Sequence, residues 1–175
     1  MSDLIVEKLG NISNIEMGQS PDSRYYRSEE IGMPLIQGNA DIKNRNSIKR
    51  IWTTHITKEC DAGDILMTVR APVGFIGIAS HYSCIGRGVC AIKPTDVDAE
   101  YLYHLLIFYE GNWKALEQGS TFTAVGSKEI FNFPLKIIKS KKEQRKIAHI
   151  LSTADAVIEK TQAAIAKYKA IKQGM

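Results

Sequence analysis

The last 36 residues, Ser140 to Met175, constrain the fold more than any other stretch of the chain. They contain no proline, and their only glycine is the penultimate residue, Gly174. Apolar or small residues recur at Ile147, Leu151, Ala154, Ile158, Thr161, Ile165 and Tyr168, in alternating steps of four and three. That is a heptad seam, and it predicts one long helix able to form a coiled coil. A second row, Ile150, Val157, Ala164 and Ile171, widens the stripe. Ser140 and Glu143 have capping-box spacing and mark the helix start. At 1.5 Å per residue such a helix is roughly 50 Å long, about the diameter of the domain that precedes it. A single domain cannot cover that length, so part of the stripe is expected to meet another helix. A helix folded back onto its own domain is the alternative.

Residues 140–175 carry eight Lys or Arg against three acids, which leaves 15 basic and 16 acidic groups in the rest. The overall charge of +4 therefore resides in the helix, and the globular part is close to neutral. Within it, Lys43, Arg45, Lys49 and Arg50 fall in eight acid-free residues, either a solvated loop or a phosphate contact. No run of 18 apolar residues suggests a membrane span, and the first residues lack a secretory core. A cytoplasmic protein is expected. Cys60, Cys84 and Cys90 show no C-x-x-C spacing, and the four histidines are scattered. Free buried thiols and no metal site follow from that pattern.

The body of the chain reads as α+β. Residues 4–16 suggest a strand and turn broken at Gly10, and a turn-rich loop with Arg24, Tyr25, Tyr26 and Arg27 follows. Strands are expected near 34–37 and 47–57. Residues 61–79 read as a hairpin turning at Arg70–Gly74, and residues 84–94 as a strand opening on Gly86-Arg87-Gly88. Those glycines suit either close backbone approach or a bulge. Thr95 and Asp98 suggest a second capping box, for a helix over about 96–117, and a short helix is expected around 127–132. A last strand leads into the long helix. The domain boundary is placed at Lys139, giving domains 1–139 and 140–175. A twisted, largely antiparallel sheet with flanking helices is predicted for the first.

Motifs for catalysis are missing. There is no N/D-P-P-F/Y methyltransferase motif, G-x-G-x-x-G, P-loop or G-x-S-x-G elbow, and Asp61 and Asp64 lack the acid-x-Lys partner of a nuclease. The pattern favours a recognition module that needs no cofactor.

Five segments, in order, carry a family resemblance: IEMGQSP (15–21), GDILMTVRAPVGFIGIA (63–79), IGRGVCAIKP (85–94), GSTFTAVGSKEIFNFPLKI (119–137) and EQRKIAHILSTADAVIEK (143–160). Together they resemble the specificity (S) subunits of type I restriction-modification systems. The match departs at Lys139–Lys142, where that family often has a Pro-Pro-Leu-like segment. The resemblance implies a target recognition domain followed by a helical spacer, and a non-catalytic role. It implies double-stranded DNA and methyltransferase (M) and restriction (R) subunits as partners. M methylates adenine and R cleaves. Relatives carry two such units; one unit alone implies a half-subunit or fragment that forms a homodimer through Ile147, Leu151, Ala154, Ile158, Thr161, Ile165 and Tyr168. Such a dimer would read an interrupted palindrome. The expected DNA-binding residues are Gln19, Ser20, Arg24, Gln37, Asn39, Lys43, Arg45, Arg70, Arg87, Thr121 and Lys128. The alternatives are a non-catalytic coiled-coil adaptor or the specificity component of another multi-subunit restriction system.

Overall fold

The computed structural model describes residues 3–113 and 124–174. Strand β1 (Leu4–Lys8) passes through one helical turn, α1 (Leu9–Ile12), into β2 (Ser13–Met17). The break expected at Gly10 is thus one helical turn that buries Leu9 and Ile12. A Cβ on Gly10 would lie 2.0 Å from the ring of Phe131, so a side chain there would have to displace that ring. Five two- to four-residue strands come next: β3 (Tyr26–Arg27), β4 (Met33–Ile36), β5 (Ile42–Lys43), β6 (Asn46–Ser47) and β7 (Trp52–Thr53). The single strand expected over 47–57 is therefore two short pieces. The chain crosses between sheets there, and its β-branched and aromatic residues are spent on burial: Trp52 is 8% exposed and Thr53 0%.

β8 (Glu59–Cys60), β9 (Ile65–Thr68), β10 (Ile76–Ile78), β11 (Ser83–Ile85) and β12 (Val89–Pro94) follow. β9 and β10 form the expected antiparallel hairpin, with Ile76 opposite Met67. Helix α2 (Ala99–Phe108) begins three residues later than expected, because Asp98 is its cap, its carboxylate accepting from Tyr101 N at 3.1 Å. The Thr95 N–H is used elsewhere, on Ile12 O at 2.9 Å. α3 (Ser127–Phe131), β13 (Pro134–Ile138) and α4 (Lys141–Gln173) complete the chain.

Among the described residues the strands form three sheets, ordered β2-β12-β9-β10-β6-β5, β3-β7-β4-β11-β8 and β1-β13. Pairing is antiparallel except for β10 with β6 and β11 with β4. The α+β class and antiparallel bias are as expected, with the strands divided among sheets.

Period-two alternation explains how these layers stack. On β9, Ile65 and Met67 join the larger core with α2, β13 and Trp113, whereas Leu66 joins a second core with Ile36, Cys60 and Ile85. β12 divides likewise, Cys90 and Ile92 facing one way, Val89 and Ala91 the other. The six-stranded sheet is thus covered by helices on one face and by the five-stranded sheet on the other. Strands buried on both faces lose the alternating polar signature that marks a half-exposed strand.

Helix α4 is capped as its sequence implies, Ser140 Oγ accepting from Glu143 N at 3.4 Å. Its first three turns pack against α2 and β13, burying Gln144 and Ala148. From Thr153 to Gly174 every residue is exposed. Val157 (59%), Ile158 (52%), Ile165 (49%), Tyr168 (71%) and Ile171 (49%) are among them, so this part of the apolar stripe has no cover from its own domain, whereas Ile147 at its start packs against the larger core. No described helix is long and apolar enough to cross a membrane.

Candidate nucleic-acid interface

Three chain crossings meet at one polar surface of the globular part. They are Gly18–Ser20 after β2, Gln37–Asn39 after β4, and Gly86–Gly88 between β11 and β12. The last carries the chain from one sheet to the other. Its glycines are required by proximity: a Cβ on Gly88 would lie 2.1 Å from Gln37 O, and one on Gly18 would lie 2.1 Å from Gly86 O. Close approach, and not a bulge, is the reason for the Gly-Arg-Gly spacing.

Backbone hydrogen bonds lock the crossings together. Gly18 N donates to Val89 O (3.0 Å), Gln19 N to Ile85 O (3.0 Å) and Gly86 N to Ile36 O (2.8 Å). Side chains then set the polar groups. Ser20 Oγ accepts from Arg87 N at 3.1 Å and from Arg87 Nε at 3.4 Å. Gln37 Nε2 donates to Tyr26 Oη at 2.5 Å, and that hydroxyl donates to Pro21 O at 3.2 Å. The Thr57 hydroxyl donates to Gln19 O.

Beneath Gln37 lies Asp41, a carboxylate only 1% exposed. It accepts from Gln37 N at 2.7 Å and from Arg50 Nε at 2.8 Å, so a buried charge is paired on both oxygens. Asp41 therefore holds the backbone from which Gln37, Gly38 and Asn39 project.

Of the residues expected from sequence, Gln19, Ser20, Gln37 and Arg87 come together here, and Asn39 stands exposed beside them. Arg70 belongs to the same rim: it follows Val69, whose N–H donates to Gly88 O at 2.9 Å, and it is itself exposed. Arg24 lies on the Tyr26 side, its guanidinium 4.9 Å from the Tyr25 ring centre and 3.6 Å from Asp22. Tyr25 in turn stacks on His55 at 5.0 Å.

Lys43 and Arg45 sit on a separate hairpin. Asn44 and Arg45 both have positive φ (49° and 64°), the geometry of a two-residue type I′ turn between β5 and β6. Lys43 is exposed. Arg45 points inward: its guanidinium pairs with both oxygens of Glu110, donates to Ile76 O at 2.8 Å and lies 4.5 Å from the Phe75 ring centre. Lys128 is exposed on α3, which packs on α1. Thr121 lies outside the described residues.

Sequence reasoning did not single out Asp41, Thr57 or His55 for this surface; it placed Arg50 in the basic run and Tyr26 in the turn-rich loop without their partners. Asp41 had a usable signal, as a lone acid between Gln37 and the basic run. The others depend on contacts distant in sequence.

The described residues contain no group of His, Cys, Asp and Glu able to hold a metal ion. Burial pushes the thiols of Cys60 and Cys90 up to about 12, so neither is a nucleophile near neutral pH. An open groove of about 400 Å³ lined by Asn14, Glu16, Thr57, Lys58 and Lys93 is crossed by ion pairs, Lys58 to Glu16 at 2.6 Å among them. The arrangement presents amides, hydroxyls and guanidinium groups on a fixed frame, which is chemistry for recognition.

The family model of the type I restriction modification DNA specificity domain matches residues 1–168. The chain belongs to that family. A protein of Methanocaldococcus jannaschii, provisionally named type I restriction enzyme MjaX specificity subunit, is 36% identical over 163 residues. That match covers 90% of this chain and 38% of the relative. The HsdS subunit from Thermoanaerobacter tengcongensis is similar in structure, with a TM-score of 0.77 and 31% identity over 91% of this chain and 40% of that one. A chain from a structure on complex assembly and conformational transition of the type I R-M system gives a TM-score of 0.81 at 32% identity, covering 98% and 44%. This specificity-domain chain thus spans about two-fifths of the length of the relatives it matches.

Proposed function

We propose that this chain is a sequence-reading unit of a type I restriction-modification system. It addresses partner subunits to DNA and performs no chemistry itself. Residues 1–139 form the recognition domain, and residues 140–175 the spacer. The observation that carries the reading is the rigid junction of Gln19, Ser20, Gln37 and Arg87, in a chain matching a DNA specificity family over 168 residues. Amide and guanidinium groups suit base edges in the major groove, where Gln favours adenine and Arg favours guanine. Asn39 extends that set. Arg24, Lys43, Arg70 and Lys128 are exposed cations suited to phosphates, which position the duplex without reading it. Arg45 serves by shaping the hairpin that presents Lys43.

The uncovered stripe on α4 takes a second spacer helix. Each large aliphatic side chain buried there stabilises the pair by about 1.5–3 kcal/mol relative to full exposure, less where the free helix already shields it. A second copy of this chain supplies such a helix, and two-fold pairing gives two inverted half-sites separated by a fixed gap. M subunits, and an R subunit where present, assemble on this frame to methylate adenine and to cleave, in the cytoplasm where the DNA is.

Selection of bound duplexes from a random pool, with and without the M subunit, tests this reading. Enrichment of one split motif supports it. Retention that is uniform across sequences in both conditions would leave a coiled-coil adaptor instead.

A further inference from the structure

Helix α4 touches the globular part along one short face. Gln144, Ala148 and Ser152 recur every four residues and so stack along that face. Gln144 and Ala148 are each 1% exposed, and the small alanine lets the helix lie close. Both ends of the Gln144 amide are used: Nε2 donates to Ile138 O at 2.7 Å, and Oε1 accepts from Asp98 N at 2.9 Å. Ile138 ends β13 and Asp98 caps α2, so one side chain ties the helix to both elements beneath it. Two turns on, Ser152 Oγ lies 3.0 Å from His104 Nε2 on α2. Past Ser152 the helix is exposed throughout.

Packing alone does not call for an amide at position 144, since methionine would fill a similar volume. Hydrogen bonds differ from apolar contacts in being directional, and a buried amide must keep both partners or leave them unsatisfied. We infer that Gln144 is a positioning residue for half-site spacing, fixing the direction of the spacer helix without touching DNA. This rests on the recognition reading above.

Lever arithmetic shows why direction matters. Past Asp155, whose carboxylate lies 3.8 Å from His104 Nδ1, the free segment to Gln173 is about 27 Å long. A tilt of about 10° at its base moves the far end by about 5 Å, more than the ~3.4 Å rise of one base pair. Without the Gln144 tie the spacing would blur by a base pair or more.

Two readouts test this on the full chain. Spin labels at Lys136→Cys, on the outer face of β13, and Lys169→Cys, far along α4, report helix direction when the labelled chain is diluted with unlabelled chain. Gln144→Met should broaden or shift that distance distribution by about 5 Å, while Arg145→Ala, whose exposed side chain reaches Asp98 only at 3.9 Å, should not. Methylated-site maps made with the M subunit should then show the same half-site bases with added gaps one base pair longer or shorter. An unchanged distance distribution overturns the inference, and so does a broadened one with a single unchanged gap. If Gln144→Met melts below the working temperature, Ser152→Ala carries both readouts with a smaller broadening, and no broadening there overturns the inference equally. If the unsubstituted chain directs no methylation, the recognition reading fails and takes the spacing role with it, while the distances still decide whether Gln144 sets the helix direction.

Discussion

Replacing Asp41 with alanine should loosen the centre of the recognition surface while leaving both hydrophobic cores in place. The carboxylate is 1% exposed and holds Gln37 N at 2.7 Å and Arg50 Nε at 2.8 Å. A hydrogen bond to a charged group contributes about 1.5–3 kcal/mol, and deleting the acceptor leaves the Gln37 N–H without its partner. The Arg50 pair adds less, because the Arg50 side chain is 49% exposed and solvent screens it; about 0–1 kcal/mol is reasonable. The expected loss is therefore about 2–4 kcal/mol. Asp41→Asn keeps the shape and can still accept from Gln37 N, but it then turns its NH2 toward Arg50, so about half the loss should remain. Equilibrium unfolding in urea measures the difference, and hydrogen exchange at the Gln37 amide shows where it acts, faster by about 30-fold or more in Asp41→Ala. Stability within about 1 kcal/mol of the parent, or identical behaviour of the two variants, would refute the reasoning.

Ile158→Asp or Ile165→Asp should convert a dimer to monomers in sedimentation while the melting of the globular part is unchanged; dimers that persist place the interface elsewhere. Arg87→Ala should cost about 1–3 kcal/mol of specific DNA affinity and relax the choice of base at one position, whereas Lys43→Ala should weaken all sequences alike and lower the salt slope by about 1. Binding titrations across salt concentrations separate the two. The buried thiols give a pH signature. Cys60 and Cys90 titrate at about 12 when folded against an ordinary 9.0, so above pH 9 the unfolded chain releases protons that the folded chain retains. Stability is therefore unaffected by them below about pH 9 and falls from there toward pH 12, by about 1.4 kcal/mol per unit per thiol. Denaturation midpoints at pH 8, 9 and 10 check the sign, and a rise between 9 and 10 would contradict it.

Local patterns carried the elements whose causes are local. Helix α4 was legible because a capping serine and a three-heptad seam lie within one segment, and the β9–β10 hairpin because two apolar runs flank a turn holding Pro72 and Gly74. The division of residues 84–94 into β11 and β12 was not. Its cause is the meeting of Gly88 with the Gln37 carbonyl, some fifty residues away in sequence. The same holds for the strand expected over 47–57, where burial of Trp52 and Thr53 at a sheet crossing mimics strand composition. At the candidate site, turn-rich polar loops exposed Gln19, Ser20, Gln37 and Arg87 to sequence reasoning. The inward turn of Arg45 was hidden, because its partner Glu110 follows 65 residues later, just past the end of α2. Asp41 shows the general difficulty: a buried acid in a loop has the local appearance of a solvated one.

Mapping methylated adenines in cells that express this chain with its M subunit, against cells that lack it, decides whether the chain is a paired reader of split DNA sites. A paired reader gives one new interrupted palindrome, with a fixed gap, that disappears in the Ile158→Asp variant. An active M subunit that places no new methylation in the presence of this chain would contradict that reading.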